Sequence, residues 1–298
     1  MILNLIVFSL LKKPFYFMSL DIVLHYLSAL AYLLLAASIW YPLWRNQALE
    51  KHKGIRHWSL LLILLLHGVA VHTAMLHSDH IRLNWALSIS LTIWIGMIIF
   101  WIESNFVAIK TLLLPLGITS ALGCLLPAFF PITDSGLIIQ VNSEIFRFHL
   151  IISLFAYSVI ALATIQALVT AALDRYLHRP DDFDSKQKFL HRLVDAQPPL
   201  LLQERLLFRL IWIGFALLTL SVVTGSWVSM RFYDQFLPYD HKTLFTLLAW
   251  LVFAFLLAGR MLWGWRGRIA LRWNLLGFFL LMLAYTGSRF VFEMILGR

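Results

Sequence analysis

Apolar residues in this chain come in long runs separated by short polar breaks. Eight runs stand out, at roughly residues 20–44, 57–76, 84–102, 106–128, 149–173, 208–230, 242–262 and 271–294. Each has about the 20 mostly apolar residues that a helix needs to cross the hydrocarbon core of a bilayer. None shows the strict alternation of a half-buried strand. In lipid, a helix satisfies its own backbone hydrogen bonds. The pattern therefore predicts an all-α, polytopic integral membrane bundle of about eight transmembrane helices, forming a single membrane domain over residues 18–298.

The polar breaks carry the orientation. Sixteen of the 24 Lys and Arg residues fall in the breaks at 45–56, 174–209 and 260–272, together with Lys110. The other eight are Lys12, Lys13, Arg82, Arg147, Arg231, Lys242, Arg289 and Arg298. Cytoplasmic loops hold the excess of Lys and Arg, so the first set reads as cytoplasmic and both termini as external. The longest break, 174–206, includes Asp181, Asp182 and Asp184 without the alternation of a metal loop, and reads as a solvated connector. Residues 1–17 stand apart. Ile2 to Leu11 is only about half a span, and Lys12 and Lys13 follow it rather than precede it, the wrong order for a signal peptide. This stretch reads as an interfacial extension or an over-called start, with Met18 opening the first span.

Composition agrees with the pattern. The chain is 61% hydrophobic and 13% charged, against about 45–50% and about 25% in soluble domains. Its formal net charge of +9 lies between the apolar runs as a topology signal, which argues against nucleic-acid binding. The lone cysteine, Cys124, excludes an internal disulfide, a CxxC redox pair and a haem-attachment CxxCH, and reads as a buried packing residue. No catalytic residue set emerges, so a binding role is favoured over an enzymatic one.

Candidate chemistry rests on histidine, which ligates haem iron and titrates near neutral pH. His52, His57, His178 and His191 fall in or beside cytoplasmic breaks, and His77 and His80 in the short external break. His25 and His72 read as packing residues within spans, whereas His67, near the middle of the second run, is balanced between packing and ligation. His149 opens the fifth run and His241 the seventh, both on the external side. Two imidazoles at one depth on different helices are what a six-coordinate haem requires.

From about residue 146 onward the chain resembles the cytochrome c assembly family, the CcsA, CcmC and CcmF type of haem-handling membrane protein, and in particular its short YpjD-like branch. Three stretches carry the resemblance: FHLIISLFAYSVIALA at His149, YDHKTLFTLLAWLVFAFLL followed by WGWRGR, and LLMLAYTGSRFVFEMI. LLLHGVAVHTAML, with His67, resembles an early intramembrane histidine of the family. The resemblance implies an external haem ligand at His149 and haem b as the cofactor. It also implies a place in or near cytochrome c maturation, with lipid and other maturation proteins as partners, in a bacterial inner membrane. The family's tryptophan-rich motif survives here only as Trp227, Asp240 and Lys242, and His241 stands where that motif has proline. His241 is therefore placed to substitute as the second ligand, an expectation beyond what the family motif implies, with Asp240, Lys242 and Arg289 as candidate polar neighbours. Arg289 suits a haem propionate, because guanidinium matches carboxylate in fork geometry. The eroded motif keeps a second expectation open: a haem-free transporter or accessory membrane subunit on the same scaffold.

Overall fold

A computed structural model describes residues 19–45, 47, 53–77, 80–106, 110–132, 137–139, 143–177, 192, 196–238 and 240–284. Among these, eight helices form the protein: α1 (Leu20–Arg45), α2 (Lys53–Met75), α3 (Trp85–Glu103), α4 (Leu113–Phe129), α5 (Glu144–Leu177), α6 (Leu200–Tyr233), α7 (His241–Trp263) and α8 (Gly267–Met282). Six of them, α1, α2, α3, α5, α6 and α7, are long and apolar enough to cross a membrane, and α4 is a shorter apolar helix. The all-helical membrane bundle read from the pattern is the observed architecture. The fourth run starts later than expected, with a 3-10 turn at Lys110–Leu112 leading into α4. The N-terminal stretch 1–17, most of the acidic connector and the end of the eighth run lie outside the described residues.

Local chemistry sets several of the ends. Asn84 caps α3 by accepting the Leu87 N–H at 2.8 Å, and its amide donates to the Phe130 carbonyl at 2.9 Å, which ties the start of α3 to the end of α4. α7 ends at Gly264, whose φ of +66° is the left-handed conformation that glycine adopts without steric cost. One feature escaped the hydropathy pattern. Leu76–His77, His80–Leu83 and Leu137–Ile139 form a small antiparallel sheet, β1, β2 and β3, which joins two breaks at the same end of the bundle. Runs this short carry too few residues to show a period.

α1 packs against α2 and α4, while α5 packs against α6 and α8; α3 bridges α4 and α5, and α7 lies on α8 and α6. The fold is thus two four-helix halves meeting along α3. Large apolar side chains such as Leu34, Leu62, Leu65, Leu251 and Met261 face outward, as lipid-facing positions should. The ends of the bundle differ. One carries exposed Trp40, Tyr41, Trp44, Trp58, Trp212 and Trp263, an aromatic belt of the kind found at a membrane interface. At this basic end Arg209 of α6 pairs with Glu103 of α3. Arg192 donates to the Leu43 and Trp44 carbonyls at the C-terminus of α1, at 3.1 and 2.7 Å, where the helix dipole favours a cation. The connector between α5 and α6 therefore docks on α1 at this point, beyond the solvated role expected of it.

Helix approach within each half depends on small residues, as it does in lipid generally. A Cβ on Gly117 of α4 would sit 3.1 Å from the Ala36 Cβ and 3.2 Å from the Tyr32 carbonyl oxygen of α1. Backbone cannot swing aside as a side-chain tip can. Gly117→Val is expected to destabilise the α1–α4 contact by about 1–3 kcal/mol, the usual cost of overpacking. Gly54→Val, where nothing lies within 4 Å, is expected to leave the thermal midpoint in detergent nearly unchanged. Equal midpoints for the two variants would contradict the packing.

Candidate functional site

His149 lies one turn into α5, half-buried against α6. The sequence folds tightly here because the facing residues are small. Ser153 Oγ lies 2.8 Å from Ser221 Oγ, and Gly225 presents bare backbone to the imidazole, so closely that a Cβ there would meet His149 Cε1 at 3.0 Å. His149 Nδ1 is 3.0 Å from Thr224 Oγ1. That hydroxyl already donates its proton to the Leu220 carbonyl at 2.8 Å, so toward the ring it can only accept. The Ser221 carbonyl is a further acceptor beside the ring. The proton of the neutral imidazole is therefore held on Nδ1 and the lone pair on Nε2. The nearest hydroxyl to Nε2 is Ser153 Oγ at 3.5 Å, and its proton goes to the His149 carbonyl at 2.7 Å. Nε2 thus keeps its lone pair, beside Ser153 and the Gly225 backbone, with the tautomer fixed by α6 as it is in metal-ligating histidine.

The start of α7 lies at the same end of the bundle. His241 is the first residue of the helix and is exposed, as is Lys242. The Lys242 ammonium is within electrostatic reach of the His149 ring, so α7 begins beside the α5–α6 seam. Asp240 caps α7, accepting the Thr243 N–H at 2.7 Å. Burial alone would raise its carboxyl, but the Thr243 hydrogen bonds and the Lys242 and His241 charges outweigh that and hold it below the usual carboxylate range. Trp227, 62% exposed, flanks the seam on α6 rather than closing over it. Arg289 lies outside the described residues. Of the residues singled out in the sequence, His149, Asp240, His241 and Lys242 gather at one end.

A second polar cluster is enclosed in the other half. His67 is fully buried, with Nδ1 3.2 Å from the Tyr32 hydroxyl, Nε2 2.9 Å from Ser90 Oγ and Cys124 Sγ 3.4 Å from Nε2. His25 lies edge-on, its ring centroid 6.2 Å from that of His67. His25 Nδ1 faces the Asp21 carbonyl at 2.7 Å and must donate to it, which leaves the lone pair on a buried Nε2 without a hydrogen bond. Both nitrogens of His67 are engaged within the protein, whereas His149 keeps one open.

The sequence places the chain in a known family. The sequence profile described as cytochrome c assembly protein matches residues 23–296. The chain belongs to the cytochrome c assembly family. Among curated relatives, it is 35% identical to the inner membrane protein YpjD of Escherichia coli strain K12 over 147 residues, 49% of this chain and 52% of that one. It is 31% identical over 149 residues to an uncharacterized 28.8 kDa protein of Azospirillum brasilense, covering 50% of this chain and 52% of the other. It is 34% identical over 84 residues to the cytochrome c biogenesis protein CcsA of Cyanophora paradoxa, covering 28% of this chain and 26% of CcsA. The alignments thus span about half the length of the first two relatives. This protein is a multi-pass membrane member of the family.

His149 is legible in the sequence, but the residues that set its chemistry are not. Ser221, Thr224 and Gly225 share one face of α6, but Ser, Thr and Gly at helical spacing are common in membrane helices. The partners of His67 are likewise spread over three other helices.

The cap gives a direct test. Asp240→Ala is expected to cost about 1 kcal/mol by removing the α7 cap, whereas Asp240→Asn should keep most of it, since both side chains cap well. The folded carboxyl lies lower than the unfolded one, so its stabilisation is complete above the unfolded value and is lost as pH falls through the folded one. The gap between wild type and Asp240→Ala in thermal midpoint should therefore narrow under acid, below about pH 4. A gap that stays constant into acid would rule out the charged cap.

Proposed function

We propose that this protein binds haem b at the external, periplasmic face of a bacterial inner membrane and handles it in or near cytochrome c maturation. The observation that carries the reading is the hydrogen-bonded His149, whose Nδ1 proton is held by acceptors on α6 while Nε2 keeps its lone pair. Family membership supports it, as do relatives named for the inner membrane and for cytochrome c biogenesis. The excess of Lys and Arg at the basic end orients that end to the cytoplasm, the histidine end outward and both termini external.

The donor set suits the group. In this reading His149 Nε2 and His241, on the exposed first turn of α7, would hold the haem iron. Lys242 and Arg289 balance the propionate charge, Asp240 holds the start of α7, and Trp227 supplies an apolar flank. His67 serves the other half of the protein, through the network around it. Bound there, haem b would supply a redox-active iron that histidine nitrogen can ligate. The chain's own work is to hold, orient and release. α5 and α6 grip one ligand through a tight seam, whereas the other sits at an exposed helix end, a pairing suited to transfer rather than permanent retention. With one cysteine, the chain has no CxxCH with which to attach haem covalently. Its partners are then the other maturation proteins that deliver or accept the haem.

Visible spectroscopy tests this. Protein purified in mild detergent after expression with excess haem is expected to show a Soret band that shifts on reduction. His149→Ala should abolish the band and His241→Ala should alter its ligand-sensitive features. Thr224→Val, which removes only the acceptor behind the imidazole, is expected to weaken haem affinity about 10–100-fold, the usual cost of losing such a partner. Wild-type protein without haem under these conditions would overturn the proposal and favour a haem-free transporter or accessory subunit.

A further inference from the structure

The groove between α1 and α2 at the basic end has features that the histidine sites do not use. It forms an open groove of about 390 Å³, within the usual size range of ligand pockets. Its polar end is formed by Arg56, Ser38 and Ser59, and its walls by aliphatic residues including Leu34, Leu35 and Ile63. Arg56 is only 8% exposed, and its Nη2 donates to the Ser38 carbonyl at 3.0 Å, which fixes the guanidinium at the groove wall. The Ser38 hydroxyl is committed to the Leu35 carbonyl at 2.6 Å. Among the described residues of the lining, Arg56 is the charged one.

Position along the helices specifies the ligand. Arg56 is within the first turn of α2, and Ile63 is two turns deeper, about 10 Å at 1.5 Å per residue. Exposed Tyr41, Trp44 and Trp58 mark the headgroup level beside it, while exposed Leu34, Ile55 and Leu62 mark the mouth as open to lipid. A cation at headgroup depth, continued inward by an aliphatic groove, complements an amphiphile with an anionic head and a hydrocarbon tail. We infer that this groove binds an anionic phospholipid, with the Arg56 guanidinium on the phosphate and an acyl chain along Leu34, Leu35 and Ile63. Guanidinium suits this role because its fork of donors matches phosphate oxygens, and basic pockets between transmembrane helices bind such headgroups. The inference stands independently of haem binding.

The test is quantitative lipid analysis of the full chain purified in mild detergent. Wild-type protein is expected to retain phosphatidylglycerol or cardiolipin in preference to phosphatidylethanolamine. Arg56→Gln should lower that retention about tenfold, in line with losing one charge-assisted contact. Leu34→Trp fills the groove from a position that is 64% exposed and already faces lipid, so it should lower retention without unfolding the protein. It also keeps the inference testable if Arg56→Gln fails to fold. Added phosphatidylglycerol should raise the thermal midpoint of delipidated wild type but not of Leu34→Trp, whereas phosphatidylcholine or inorganic phosphate should not raise it. Equal anionic-lipid retention in wild type and Leu34→Trp would overturn the inference, as would an equal midpoint shift with phosphatidylcholine or with phosphate alone.

Discussion

The hydroxyl of Thr224 has one proton, and the helix takes it. Because that proton goes to the Leu220 carbonyl, the oxygen meets His149 only as an acceptor, and the imidazole must offer its own proton in return. An isolated polar ring in lipid would be costly. Here one nitrogen is satisfied by protein, and the other keeps its lone pair beside Ser153 and the Gly225 backbone. The rest of the arrangement serves this contact. Ser153, Ser221 and Gly225 are small enough for α5 and α6 to approach, and the start of α7 brings Asp240, His241 and Lys242 alongside.

The two buried histidine environments differ in what they leave over. Around His67, Tyr32, Ser90 and Cys124 engage both nitrogens inside one half of the protein. Such a closed network orders the packing of four helices. Around His149 the network is closed on one side only. A polar group fully satisfied by its own protein stabilises a fold, and one satisfied by half can take a ligand.

Most of the architecture was legible in hydropathy, because a bilayer imposes one length scale on every crossing segment. The distribution of Lys and Arg separated the two ends for a similar reason. Less legible was whatever depends on contacts between helices. Cys124 read as a bland apolar residue, yet its sulfur lies against His67. His25 read as packing; it is buried, but its Nε2 lone pair faces the interior with no hydrogen bond. Asp240 stood out through its spacing from Lys242, whereas its visible structural work is to cap α7. The paired strands at 76–83 and 137–139 were invisible because they hold two to four residues each.

The connector between α5 and α6 has a mechanical effect beyond linking them. Through Arg192 it fastens to the last carbonyls of α1, and a few turns away Arg209 of α6 fastens to Glu103 of α3. Both ties join the first half of the protein to the second, and both lie at the basic end. At the histidine end the halves are joined instead by apolar packing, with Leu150 and Leu154 of α5 against Leu87 and Leu91 of α3. The seam between the halves is thus ionic and hydrogen-bonded at one end and greasy at the other.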